Sequence, residues 1–167
     1  MENIDIIFKR ASIRKFLDKP VSKELIHQIL DAGFAAPSAL NLRPYHFIYI
    51  DDKNILRQIS VNSRFKKLLA DAPCAIAVVA DSNINYQMEF LLNDTSACIQ
   101  NMLLAIHGLG LGGVWLGQKR SDDEGLNKIL QLPEGMFVAG TIAFGYPNET
   151  KEQKDRYNPS KVHHNKF

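Results

Sequence analysis

The chain has 167 residues, 46% of them hydrophobic and 23% charged, which supports one compact core and excludes a disordered or low-complexity polymer. Twenty Lys and Arg against 18 Asp and Glu leave a net charge of +2, too balanced for a general nucleic-acid binder, although a local cluster of cations could still hold an anion. The start MENIDIIFKRAS lacks the apolar centre of a secretory signal, and no run approaches the roughly 18 apolar residues of a membrane span. A cytoplasmic protein without a membrane partner is predicted.

Taken in chain order, Ile4, Ile7 and Phe8 give Asn3 to Lys9 a helical spacing, with Asn3 or Asp5 as its start. Leu25, Ile26, Ile29, Leu30 and Phe34 repeat at helical intervals from Ser22 to Ala35, where Ser22 can cap the first turn. Pro37 ends that helix, because a proline disfavours helical backbone in the residue before it. Tyr45 to Ile50 is aromatic and β-branched and reads as a strand. Asp51-Asp52 closes it and could cap a helix over about 53 to 60. Ala75 to Ala80 is continuously apolar, a strand buried on both faces.

From about Tyr86 to His107 no breaker occurs, and apolar residues cover most of the helical circumference. A helix of this kind must be enclosed, and in a chain this small that points to a subunit interface as well as a core. Gly108 to Gly113 is a turn into a strand at Val114 to Leu116. A helix at Asp122 to Leu130, capped by Ser121, and a strand at Phe137 to Phe144 follow. The tail from Pro147 to Phe167 is polar, without a periodic core face. The elements interleave without repeated βαβ units, so an α+β fold around a central sheet is predicted, as a single domain over 1–167.

Four clusters could carry chemistry. Arg10 and Arg14, with Ser12 between them, share a face in either a strand or a helix and suit a phosphate monoester, since guanidinium pairs with phosphate oxygens bidentately; the bland alternative is a solvated basic edge. In the segment Ala36 to Tyr45, Ser38 and Asn41 offer donors and acceptors for an alternating heterocycle edge such as a flavin pyrimidine, or the segment simply forms a turn. Gly108-Leu-Gly110-Leu-Gly112-Gly113 matches G-x-G-x-x-G in form only, because it follows a helix and opens a strand, the reverse of a dinucleotide fingerprint. Its use would be close backbone approach, with Trp115, Leu116 and Gly117 beside that surface. Lys154 and Arg156 form a second spaced cationic pair, which as tail residues could equally be solvated. Cys74 and Cys98 lie in apolar surroundings and read as buried thiols. No metal-ligand spacing and no G-x-S-x-G signature occurs.

Together these segments resemble the nitroreductase family of FMN-dependent NAD(P)H oxidoreductases. Arg10-Ala-Ser-Ile-Arg-Lys-Phe16 with Asp18-Lys-Pro-Val21 is similar to the family's opening motif, and Ala35-Ala-Pro-Ser-Ala-Leu-Asn-Leu-Arg-Pro-Tyr45 to its second. Ser96 to Gly117 is similar to its long interface helix and glycine turn, and Gly145-Tyr-Pro147 followed by Lys154-Asp-Arg156 to its C-terminal phosphate clamp. The resemblance implies a homodimer with a mostly antiparallel sheet, exchanged terminal segments and FMN at the interface. Arg10, Ser12, Arg14, Lys154 and Arg156 would hold the phosphate and ribityl chain. Pro37, Ser38 and Asn41 would meet the ring from the partner subunit, and main chain at Trp115, Leu116 and Gly117 would face its reactive side. No side chain is implied as an acid or base; the flavin would pass hydride from NAD(P)H to nitroaromatics, quinones or similar acceptors in a ping-pong cycle. The alternative is a non-catalytic FMN-binding or flavin-sequestering protein. Arg43 stands where the family usually has Gln, and the segment before the long helix is short.

Overall fold

The computed structural model describes residues 4–61, 66–118, 123–152 and 155–167. In chain order they form α1 (Asp5–Lys9), α2 (Lys23–Phe34), β1 (Tyr45–Ile50), α3 (Lys53–Val61), α4 (Lys66–Asp71), β2 (Cys74–Asp81), α5 (Met88–Gly108), β3 (Gly112–Gly117), α6 (Asp123–Ile129) and β4 (Met136–Gly145), with 3₁₀ turns at Ala39–Asn41 and Pro159–Lys161.

The four strands make one sheet in the order β1-β2-β4-β3, every neighbouring pair antiparallel. Central β2 is buried along its whole length, as its unbroken apolar run requires. Ile76 and Val78 face Ile29 of α2 and Ile99, Met102 and Ile106 of α5. Ala75, Ala77 and Val79 face Leu56 and Ile59 of α3, Leu69 of α4 and Leu126 of α6. Helices therefore cover both faces, the α+β arrangement expected. Each fully buried Ile or Leu in these layers contributes about 1.5–3 kcal/mol. No helix among the described residues is long and apolar enough to cross a membrane.

Local chemistry sets the element ends. The Ser22 hydroxyl accepts from the Leu25 N–H at 3.4 Å, and Asp52 Oδ1 accepts from the Asn54 and Ile55 N–H groups at 2.7 and 3.3 Å, so both predicted caps operate. In α1 the cap position is Ile4, which makes no side-chain bond, and Asp5 lies in the first turn. Helix α5 ends in a Schellman turn: the Leu111 N–H reaches Ile106 O, the Gly110 N–H reaches His107 O, and Gly110 takes φ +74°. The glycine run is thus a helix stop leading into a strand. Strand β3 is longer than predicted, beginning at Gly112 and ending at Gly117, because flanking glycines dilute the strand signal without preventing pairing. Helix α4 is an addition; six residues with one apolar pair are too short to show a period. The predicted Ser121 cap lies outside the described residues.

The two ends of the chain are clasped together. Ser12 bridges Gly113 in parallel and Phe16 bridges Pro147 in antiparallel fashion, while Ile13 N–H reaches Gly113 O, Leu17 N–H reaches Tyr146 O and Asn148 N–H reaches Lys15 O. Residues 10 to 17 form an extended strap that docks on β3 at Gly113 and then on the segment after β4 at Tyr146 to Asn148. Gly112 admits it: a Cβ there would lie 2.7 Å from Ile13 Cβ. Beyond the clasp, residues 155 to 167 are exposed throughout.

Candidate functional site

The strap places the first cationic motif. Because Ser12 pairs with β3, the segment is extended rather than helical, and Arg10, Ser12 and Arg14 fall on alternating positions. Arg14 Nη1 donates to Ser12 O at 3.5 Å. Lys151 Nζ donates to the same carbonyl at 2.8 Å. Glu149 Oε1 accepts from the backbone N–H groups of Arg14 and, at 3.2 Å, Lys15, and it lies 3.5 Å from Lys151 Nζ. These bonds hold the Glu149 carboxyl below its ordinary pKa, the Arg14 N–H being the largest cause. Glu149 and Lys151 were not singled out from the sequence, for each acts on backbone groups more than a hundred residues away, which no local pattern reveals.

Arg10 sits at the end of α1, partly buried, and its pKa is lowered by that burial and by the charge of Arg156. Cations from the two ends of the chain are thereby brought into one neighbourhood. His107, in the last turn of α5, is held below its ordinary value by burial and by Arg10 and Lys9. Lys9 is itself paired with Asp5 at 2.8 Å; cations gathered in this way favour the approach of an anion. Arg156 is exposed; Lys154 lies outside the described residues.

Further along the same sheet edge, Trp115 is 38% exposed and Leu116 is 3% exposed, while Gly117 is open to solvent. Leu116 points to the α3 and α6 side with Val114, and Trp115 points to the α5 side, its Nε1 lying 2.5 Å from where a Gly140 Cβ would be. Among the described residues, a Cβ on Gly117 would have nothing within 4 Å. At about 3.3 Å per residue, Gly117 lies roughly 13 Å along the strand from Gly113, where the strap docks.

The second motif occupies a different place. Pro37 and Asn41 are exposed and Ser38 partly so. The Ser38 hydroxyl accepts from the Arg43 N–H at 3.0 Å, and Asn41 Oδ1 accepts from Arg43 Nε at 3.1 Å. Arg43 thus braces the loop that carries both residues. Asp94 of α5 accepts from the Ala39 N–H at 3.0 Å, another contact with no local signature. Beside the loop is an apolar cavity of about 620 Å³ lined by Leu40, Leu42, Ile84, Tyr86 and Phe90 among others.

This loop leads into β1, at the opposite edge of the sheet from β3. Pairing puts Tyr45 level with Ala80, Ala80 with Phe137, and Gly140 with Gly117, so both lie toward one end of the sheet, separated by three strand spacings of about 4.8 Å each. Within one chain, then, the Arg10-Ser12-Arg14 segment docks at the Gly113 end of the β3 edge that carries Trp115, Leu116 and Gly117, with Arg156 near enough to act on Arg10, whereas Pro37, Ser38 and Asn41 stand apart. Cys74 and Cys98 are buried, and burial pushes both thiols up to about 12. At that value they are inert. Among the described residues no three His, Cys, Asp or Glu side chains are grouped to hold a metal.

Comparison with known proteins gives this geometry a family. A protein of Methanothermobacter thermautotrophicus, described provisionally as an NADH dehydrogenase/NAD(P)H nitroreductase, is 38% identical over 169 residues, covering 100% of this chain and 88% of that one. A crystal structure from Parabacteroides distasonis, with the same provisional description, superposes with a TM-score of 0.95 at 34% identity, covering 100% and 99% of the two chains. A provisional nitroreductase from Desulfovibrio desulfuricans, solved in complex with FMN, gives a TM-score of 0.87 at 32% identity, covering 98% and 96%. The family model described as the nitroreductase family matches residues 7–63 and 61–146, and the chain belongs to that family.

Proposed function

We propose that this single-domain chain is a cytoplasmic, FMN-dependent NAD(P)H oxidoreductase that acts as an obligate homodimer and reduces flat, electron-poor acceptors such as quinones and nitroaromatics. The observation that carries the reading is the clasp of the chain's two ends, in which Ser12 bridges Gly113 and Phe16 bridges Pro147, with Arg156 near enough to Arg10 to act on its charge. A doubly charged phosphate monoester can accept hydrogen bonds from both guanidiniums, and FMN carries one. The Gly117 position, with no heavy atom of the described residues within 4 Å of a Cβ, suits the approach of a flat ring to main chain.

In this reading Arg10, Ser12, Arg14, Lys154 and Arg156 bind the phosphate and ribityl chain. Trp115, Leu116 and Gly117 present main-chain groups to the ring's reactive side, and Pro37, Ser38 and Asn41 of the second copy meet the ring from its other flank. The bound flavin supplies the hydride chemistry. The chain's own residues bind and orient, and none acts as an acid or base. The 44% and 43% exposure of Phe90 and Leu92 on α5 fits a helix completed by a second copy. The apolar cavity between Leu40 and Tyr86 offers a seat for an aromatic acceptor. A nicotinamide and an acceptor that use one ring face in turn give ping-pong kinetics.

The pure protein is expected to be yellow, to bleach with NADH or NADPH under anaerobic conditions, and to prefer FMN to riboflavin. Arg10→Ala should weaken FMN by about 1.5–3 kcal/mol, the worth of hydrogen bonds to a charged group. A colourless protein, or equal affinity for FMN and riboflavin, would remove the cofactor assignment. Flavin that resists both nicotinamides with every acceptor would instead mark a flavin-sequestering protein, and intersecting double-reciprocal lines would exclude the ping-pong cycle.

A further inference from the structure

The loop between α2 and β1 holds a backbone that needs outside support. Leu40, Asn41 and Arg43 have φ of 52°, 56° and 51°, left-handed values that disfavour side chains larger than glycine and persist only where surrounding bonds over-determine them. Leu40 is 91% exposed, so packing does not hold it there. The Ser38 hydroxyl bond to Arg43 N–H lies inside the loop, and the Tyr45 hydroxyl reaches Ala36 O at 3.5 Å from the strand that the loop opens. The bond from Ala39 N–H to Asp94 Oδ1 comes from another element, 55 residues away on α5.

Asp94 is 6% exposed, and its second oxygen, Oδ2, is buried with no hydrogen-bond partner among the described residues. A buried carboxylate with half its acceptors unused is a costly way to satisfy one N–H. Seven positions into α5, it is also too far in to serve as a cap. Its neighbours along the inner face, Cys98 and Ile99, are fully buried, so the carboxylate stands on a fixed base.

We propose that Asp94 is a positioning residue: through the Ala39 N–H it sets the left-handed loop so that Ser38 and Asn41 are presented to the flavin ring. This inference rests on the ring-binding role proposed above for those two residues. It assigns Asp94 to the ring half of the cofactor, whereas Arg10 belongs to the phosphate half.

Titrations with FMN and with riboflavin, followed by flavin fluorescence, test it. Asp94→Ala should weaken both ligands by the same factor, about tenfold, leaving the preference between them unchanged. Asp94→Asn keeps an Oδ1 acceptor and should stay within about threefold of wild type. Ala39→Pro removes only the N–H donor, at a position that opens a 3₁₀ turn after an extended Ser38 with ψ 154°, a geometry that admits proline. It should reproduce the Asp94→Ala loss even if Asp94→Ala itself folds poorly, and the flavin's visible band should shift alike in both. Wild type that binds neither flavin overturns the cofactor reading. Wild type that binds, with Ala39→Pro unchanged, overturns the positioning role alone. A loss limited to FMN, or a fall in melting temperature without loss of riboflavin, also overturns it.

Discussion

Glu149 shows how much of the proposed anion site depends on a residue that would not itself touch the anion. Its carboxylate binds the N–H groups of Arg14 and Lys15 and stands beside Lys151, which in turn holds Ser12 O. The strap that presents Arg10 and Arg14 is thereby fixed at its middle. The Glu149 carboxyl is lowered in the folded chain, whereas unfolded it titrates near about 4.3. The unfolded chain therefore takes up the proton more readily, so the stabilisation is complete above that value and is lost as the pH falls through the folded one. Glu149→Gln should cost about 1 kcal/mol at pH 7. In urea denaturation the gap between variant and wild type should narrow below about pH 4; a gap of the same size at both pH values would show that the bonds to Arg14 and Lys15 do not depend on charge.

At the scale of elements, β3 carries two glycines with opposite demands. A side chain at Gly112 collides with Ile13, so Gly112→Ala should push the strap outward, lower stability by about 1–3 kcal/mol and weaken FMN as well. At Gly117 a side chain meets nothing among the described residues, and a β-branched residue suits an edge strand. Gly117→Val should therefore melt within a few degrees of wild type and retain most of its flavin, while turnover falls several-fold through crowding of the ring's reactive edge. Equal turnover in that variant would remove main chain at Gly117 from the site. The two glycines look alike in the sequence, because what separates them is a strap from a hundred residues upstream.

The same limit explains which elements were legible. Helix α2, with its apolar period and Ser22 cap, and β2, with its unbroken apolar run, announce themselves because local pattern and burial agree. The left-handed residues Leu40 and Arg43 do not, since neither type favours that backbone, and α4 is too short to have a period. The cationic and loop motifs were visible as residue types in order. Their separation onto opposite sheet edges was not, for it depends on the crossover that places β4 between β2 and β3. Asp94 and Glu149 were silent because both serve backbone groups distant in the chain.

For the whole molecule, that strand order has a genetic consequence. Each chain carries both halves of the proposed site but holds them at opposite edges, so in the proposed homodimer every complete site would draw one half from each copy. Two variants broken in different halves, Arg10→Ala and Ala39→Pro, should each be poorly active alone. When the two are co-expressed, each mixed dimer should have one site free of both substitutions and one that carries both. With random pairing, about a quarter of all sites are then intact, and mixed preparations should recover about that fraction of wild-type turnover beyond the residual activity of the parents. No recovery in a mixed dimer isolated by two affinity tags would mean that each site is built within a single chain.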